Sequence, residues 1–322
     1  MAEAALPALA SMLRHARPHE GGRCTLCLDI ETGIGPPGHN IRWSRDEPCG
    51  CSSVLCGALV CSCGLHLVVC NACEHHGPDS ELHAAEPLQP AHGGRACQRV
   101  VAGSSAGVAM ALLRIIAEHR PNVVIGWNAM RFDLPRLAEQ LCFHAPLSAE
   151  LDAVRAGVGG DFSAATACGL TLAACSPGGR RGGFTFLSER TLFADALALA
   201  RGAHAKRFPN FSLDTVARSV LGRGKLETTL LFKAEYASAS DAERARFERY
   251  CLEDASLALE VWGVLRLGLL LERLLERRIQ PAAAASCAIE AGWMRDAWNA
   301  ALGEVLGGDA PPADAEGPHC CS

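Results

Sequence analysis

Three places in the chain put carboxylates where they could hold a divalent cation. Asp29 and Glu31 stand two residues apart at the end of the apolar run 25–30. Read as a strand, that run turns both side chains to one face. Carboxylates side by side repel unless they share a cation, and hard oxygen donors suit Mg2+ or Mn2+. A solvated strand end fits the same two residues. Asp133 opens a helical pattern directly after Gly126-Trp-Asn-Ala-Met-Arg-Phe132, a position that serves as a helix cap, as a cation ligand, or as both. Tyr250 and Asp254 are four apart in a helical pattern and share a face. A phenol one turn before an acid can hold a water beside whatever cation that acid binds; a half-buried tyrosine with a surface acid has the same spacing.

A second group is softer. Cys61-x-Cys63-x6-Cys70-x2-Cys73, followed by His75 and His76, supplies enough thiols and imidazoles for a tetrahedral Zn2+. Only Cys70 and Cys73 have the spacing of a knuckle. Two strands, 53–63 and 65–70, with cysteines turned into a core, read the same segment.

These residues need a scaffold, and the composition allows one. A chain of 322 residues, 49% hydrophobic with a net charge of −5, is neither wholly disordered nor a basic nucleic-acid coat. No charge-free apolar run of about 18 residues predicts a membrane span. The cysteine count of 17 is odd, and the first ten residues carry Glu3 and Pro7 where a signal peptide needs a basic start and an apolar core. Both features predict mostly free thiols in a reducing intracellular compartment.

Apolar spacing predicts strands at 25–30, 54–63, 65–70 and 122–126, with the second and third forming an antiparallel meander around Gly64. Helices are expected at 107–119, 134–141, 213–221 (capped by Ser212 and stopped by Gly222), 242–276 and 287–305. Segments 170–174 and 184–187 flank a glycine-rich, basic tip and predict a hairpin. Residues 74–104 show no period and predict a loop insertion; 1–22 and 307–322 predict a flexible leader and tail. The order of elements is that of an α/β protein, a mixed sheet flanked by helices.

The three acidic places fall within longer segments. Leu26-Cys-Leu-Asp-Ile-Glu31, Val124-Ile-Gly-Trp-Asn-Ala-Met-Arg-Phe-Asp-Leu-Pro135 and Tyr250-Cys-Leu-Glu-Asp-Ala-Ser-Leu257 resemble, in order, the three exonuclease motifs of family B DNA polymerases. Phe211-Ser-Leu-Asp-Thr-Val-Ala-Arg-Ser-Val-Leu-Gly222 is similar to a segment that family carries between the last two. The resemblance covers about residues 23–303, weakly across 32–105 and 143–190.

It implies a ribonuclease H-like exonuclease domain over 23–263, with C-terminal helices at 264–306 packed on it. It further implies a 3′→5′ exonuclease of the DEDD type, tyrosine subclass, using two Mg2+ or Mn2+ ions. On that resemblance Asp29 bridges both ions, Glu31 and Asp254 hold the one that activates water, and Asp133 holds the other. Tyr250 orients the water, and Asn128 and Phe132 shape the slot for the terminal nucleotide. The family's polymerase motif is absent, since no tyrosine follows Tyr250.

The expected substrate is therefore a single-stranded or frayed DNA 3′ end, with RNA ends as the alternative. A catalytically silent module binding nucleic acid or a replication or repair partner is the other reading. Arg180, Arg181, Arg201, Lys206, Arg207, Arg218, Arg223 and Lys225 fall in one half of the sequence, where they could track phosphates or form only a solvated face.

Overall fold

A computed structural model of the chain describes residues 24–33, 54–71, 83–88, 97–142, 171–174, 184–187, 191–227, 236, 239–276 and 300–305. Its centre is β1 (Thr25–Thr32), which pairs antiparallel with β2 (Val54–Cys61), and β2 pairs antiparallel with β3 (His66–Asn71). On the other side β1 runs parallel to β6 (Val123–Gly126), and β6 parallel to β9 (Leu192–Asp195). β4 (His83–Leu88) and β5 (Cys97–Ala102) extend the far edge beyond β3, so the seven-stranded mixed sheet reads β4-β5-β3-β2-β1-β6-β9. β7 (Thr171–Ala174) and β8 (Phe184–Leu187) form a separate antiparallel pair, the expected hairpin.

The strands β4 and β5 correct the expectation of a loop across 74–104. Pro87 interrupts β4, which is tolerable only because that strand lies at the sheet edge. In β5 the half-buried Gln98 and Arg99 break the apolar pattern between buried Cys97 and Val100.

Strand alternation divides the core in two. Leu26, Leu28 and Ile30 of β1 face α1 (Ser105–His119) and α2 (Asp133–Cys142). Cys27, Asp29 and Glu31 point to the opposite face. Packed there are α3 (Ala196–Ala203), α4 (Leu213–Leu221), α5 (Asp241–Val264) and α6 (Leu267–Glu276). Helices start where the caps require. Ser104, Asp195, Ser212 and Ser240 each accept an amide of the first turn, and Ser240 and Glu243 complete a capping box. Gly222, at φ 72°, ends α4 in the left-handed region that glycine enters without strain.

The single helix expected over 242–276 is broken. α5 stops at Leu265, and Arg266 turns the chain at φ 56° before α6 begins. Residues 300–305 are helical and bury Ala301, Leu302 and Val305 in the same core as α6, with Arg266 Nη1 donating to the Val305 carbonyl at 2.9 Å. The leader 1–22, the tail 307–322 and most of the helix expected at 287–305 lie outside the described residues. Among the described residues no helix is long and apolar enough to cross a membrane.

Candidate active site

The C-terminal end of β1 delivers Asp29 and Glu31 to the face covered by α5. That helix buries Phe247, Tyr250, Cys251, Asp254, Ala258 and Val261, a stripe at three- and four-residue spacing laid against the sheet. An acid in the middle of such a stripe is the exception. Asp254 is 1% exposed. Asp29, Glu31 and Asp254 bring one ligand atom each to within 4.8 Å of one another, so residues 29, 31 and 254 form one carboxylate group.

Asp133 stands beside this trio. It opens α2, is 3% exposed, and its Oδ1 accepts the Ile30 amide at 3.0 Å. The helix start is thereby stitched to β1 between the two strand acids. The turn before it is fixed from two sides. Asn128 sits at φ 74°, and Gly126 lies so close to β1 that an added Cβ would be 2.8 Å from the Leu28 carbonyl oxygen and 2.7 Å from Ala129 Cβ. Trp127 Nε1 donates to the Phe211 carbonyl at 3.1 Å, and the Phe132 ring lies 5.8 Å from the Arg136 guanidinium.

Asp195 was not singled out by the sequence. It is buried at the end of β9 and accepts the Met130 amide at 3.2 Å and the Ala198 amide at 3.0 Å. One carboxylate thus caps α3 and holds the Asn128–Phe132 turn in place.

Lys225 also acquires a role its sequence position did not suggest. Its Nζ donates to Asp254 Oδ2 and, at 3.2 Å, to the Tyr250 hydroxyl. Asp214 aims it, accepting the Lys225 amide at 2.9 Å on Oδ1 while Oδ2 accepts Arg218 Nε at 2.9 Å. Gly224 makes room, because a Cβ there would fall 2.1 Å from Asp214 Oδ1. Of the other basic residues, Arg201, Lys206 and Arg207 are exposed, Arg218 and Arg223 are ion-paired, and Arg180 and Arg181 lie outside the described residues.

Crowding sets the electrostatics. Burial, then Asp133, Asp254 and Glu31, push the Asp29 carboxyl well above its usual range, with Lys225 opposing. Burial pushes Asp133 up to about 7, against the pull of the Ile30 amide. Burial works against charge on Lys225, but Asp254 outweighs it and holds the ammonium above its ordinary value. Two buried acids held back from ionising, grouped with Glu31 and Asp254 and compensated by one lysine, make a set that could hold a cation.

The cysteine set predicted from spacing does not hold together. Cys70 lies on the α5 face of β3, its thiol donating to the Val100 carbonyl, and pairs in register with Cys56. Cys61 ends β2 on the α1 face. Cys61 and Cys70 therefore sit on opposite faces and at opposite ends of one hairpin. Cys73, His75 and His76 lie outside the described residues. Cys61 and Cys63 instead meet Cys24 and His119. No protein-family model matches the chain, and no curated protein matches it.

Proposed function

We propose that the chain is a metal-dependent 3′→5′ exonuclease of ribonuclease H-like fold that hydrolyses phosphodiester bonds at DNA 3′ ends. The observation that carries this reading is the convergence of Asp29, Glu31 and Asp254 to within 4.8 Å, with Asp133 hydrogen-bonded between the two strand acids. Three carboxylates from two elements, plus a fourth on a third, are a donor set for hard divalent cations such as Mg2+ or Mn2+. Asp29, Glu31 and Asp254 would hold one ion and Asp133 a second, supplying an activated water and stabilisation of the attacking and leaving oxygens.

The chain's own residues supply the rest. Tyr250, one turn before Asp254, shares the Lys225 ammonium with it and would orient a water there. Lys225 holds that hydroxyl and Asp254 in one arrangement and keeps a positive charge where a phosphate would enter. Asn128 and Phe132 belong to the turn that Asp195 fixes just before Asp133, and would offer an amide and an aromatic face to a terminal nucleotide.

The test is the polarity and product of the reaction. Oligonucleotides labelled at the 3′ or the 5′ end are incubated with Mg2+. The reading expects immediate release of mononucleotide from the 3′ label and a descending ladder from the 5′ label. Matched DNA and RNA strands in competition assign the sugar. A chain that binds both strands and releases nothing is the silent module.

A further inference from the structure

At the opposite end of the sheet, four soft donors converge. Cys24 immediately precedes β1, Cys61 closes β2, Cys63 lies in the turn to β3, and His119 is the last residue of α1. Their ligand atoms all lie within 4.8 Å of one another. We propose that Cys24, Cys61, Cys63 and His119 form a structural Zn2+ site that clamps the start of β1, the β2–β3 turn and the end of α1.

The distances suit the ion. Zn–S of about 2.3 Å and Zn–N of about 2.0–2.1 Å in a tetrahedron put sulfur–nitrogen edges at about 3.6 Å and sulfur–sulfur edges at about 3.8 Å. His119 Nε2 lies 3.5 Å from Cys24 Sγ, 3.2 Å from Cys61 Sγ and 3.4 Å from Cys63 Sγ. All three values are within about 0.4 Å of that edge. The Cys24–Cys61 sulfur separation, 2.9 Å, is the short edge, and rotation of either thiol about its Cα–Cβ bond opens it.

The surroundings are those of a built site. The Cys63 amide donates to Cys61 Sγ at 3.4 Å, and the Leu65 backbone hydrogen-bonds Cys63 against the burial that pushes its thiol up to about 11. Amides aimed at sulfur stabilise thiolates, as outer-shell partners of a metal do. The backbone is pinned on every side. The Cys24 amide donates to Asn122 Oδ1 at 2.7 Å, the Ser62 amide to the Thr25 carbonyl at 2.9 Å, and the Cys61 amide to the Leu65 carbonyl at 2.8 Å. His119 also stands at a helix C-terminus, where the aligned peptide dipoles favour a cation. Four protein donors with no open position make a structural site and not a catalytic one.

The cluster is independent of the carboxylates. It faces α1, not α5, and Asp29 lies five residue steps beyond Cys24, about 17 Å at the usual strand rise. Other buried thiols, among them Cys27, Cys56, Cys97 and Cys251, do not converge with a histidine among the described residues.

The full chain, purified under reducing conditions without added metal, is assayed for bound zinc and then exchanged with Co2+. The proposal expects about one zinc per chain. It also expects thiolate charge-transfer and tetrahedral d–d bands on cobalt exchange. Cys63→Ser and His119→Ala, at half-buried positions, should each weaken zinc binding by about 10-fold or more while the circular dichroism of the fold is retained. Asp29→Ala/Glu31→Ala should keep its zinc, which separates this site from the exonuclease reading. If those single variants fail to fold, the cobalt spectrum of the unsubstituted chain decides alone. Absence of zinc and of cobalt–thiolate bands overturns the proposal. So does zinc undiminished in folded Cys63→Ser/His119→Ala, or a Cys24–Cys61 disulfide found by mass spectrometry of the freshly purified chain.

Discussion

Lys225 is ion-paired to Asp254, the lysine side chain 33% exposed and the aspartate 1%. Lys225 also opposes the upward push on Asp29 from its acidic neighbours, so in the metal-free chain the ammonium does part of the work of a cation. Removing it leaves buried carboxylates uncompensated. Lys225→Ala is expected to cost about 1–3 kcal/mol without metal. Added Mn2+ should stabilise this variant more than the unsubstituted chain, because the ion replaces the lost charge. Thermal denaturation with EDTA and with Mn2+ checks it; equal metal shifts in both proteins would contradict it.

The same crowding gives stability a pH dependence. Burial, opposed by the Ile30 amide, raises Asp133 from 3.8 to about 7, and Asp29 and Asp195 shift in the same direction. Below the unfolded value both states hold these protons and stability is full. Between 3.8 and about 7 the unfolded chain releases the Asp133 proton while the folded chain keeps it, so stability falls as pH rises through that window. Urea midpoints in EDTA should drop from about pH 4 to about pH 7. Asp133→Asn should flatten the slope, and Mg2+ should offset it most at the higher pH. A slope unchanged by Asp133→Asn would contradict this assignment.

Arg99 ties the sheet edge to the helix that carries Tyr250 and Asp254. Its Nε and Nη2 donate to Glu248 Oε2 at 2.6 Å and Oε1 at 2.8 Å, Glu248 is 0% exposed, and the Tyr236 hydroxyl adds a third bond at 3.2 Å. Arg99→Ala strands a buried carboxylate and should cost about 3–5 kcal/mol. Arg99→Met combined with Glu248→Leu should recover part of that loss, since an apolar pair carries no charge to desolvate but leaves the buried Tyr236 hydroxyl unpaired. Denaturant unfolding of the single and double variants measures both.

The legible parts of the fold were those with a local cause. The apolar run at 25–30, the meander around Gly64, the spacing of Val108, Leu112, Ile115 and Ile116, and the Ser212–Gly222 caps each state their element within a few residues. β4 and β5 did not, because Pro87 and the Gln98-Arg99 pair erase the period. The break at Leu265–Arg266 has no proline, and the apolar pattern runs on through it past Gly263 and Gly268. In the site, the i, i+2 and i, i+4 spacings of the acids and Tyr250 were local and readable. Asp195 and Lys225 were not, since each acts through a partner far along the chain. Cys24 and Cys63 reach His119 across separations of 95 and 56 residues, which no spacing rule covers; only the Cys61-x-Cys63 half of that cluster was visible.

The most direct test of the central claim is the rate of mononucleotide release from a 3′-labelled single strand by the unsubstituted chain and by Asp29→Ala/Glu31→Ala, at matched purity with Mg2+, Mn2+ or EDTA. Release should depend on the divalent ion and fall by about 10³-fold or more in the double variant. Its thermal stability in EDTA should not fall, because two mutually repelling acids are gone. Equal release by both proteins, or release that persists in EDTA, would contradict the account.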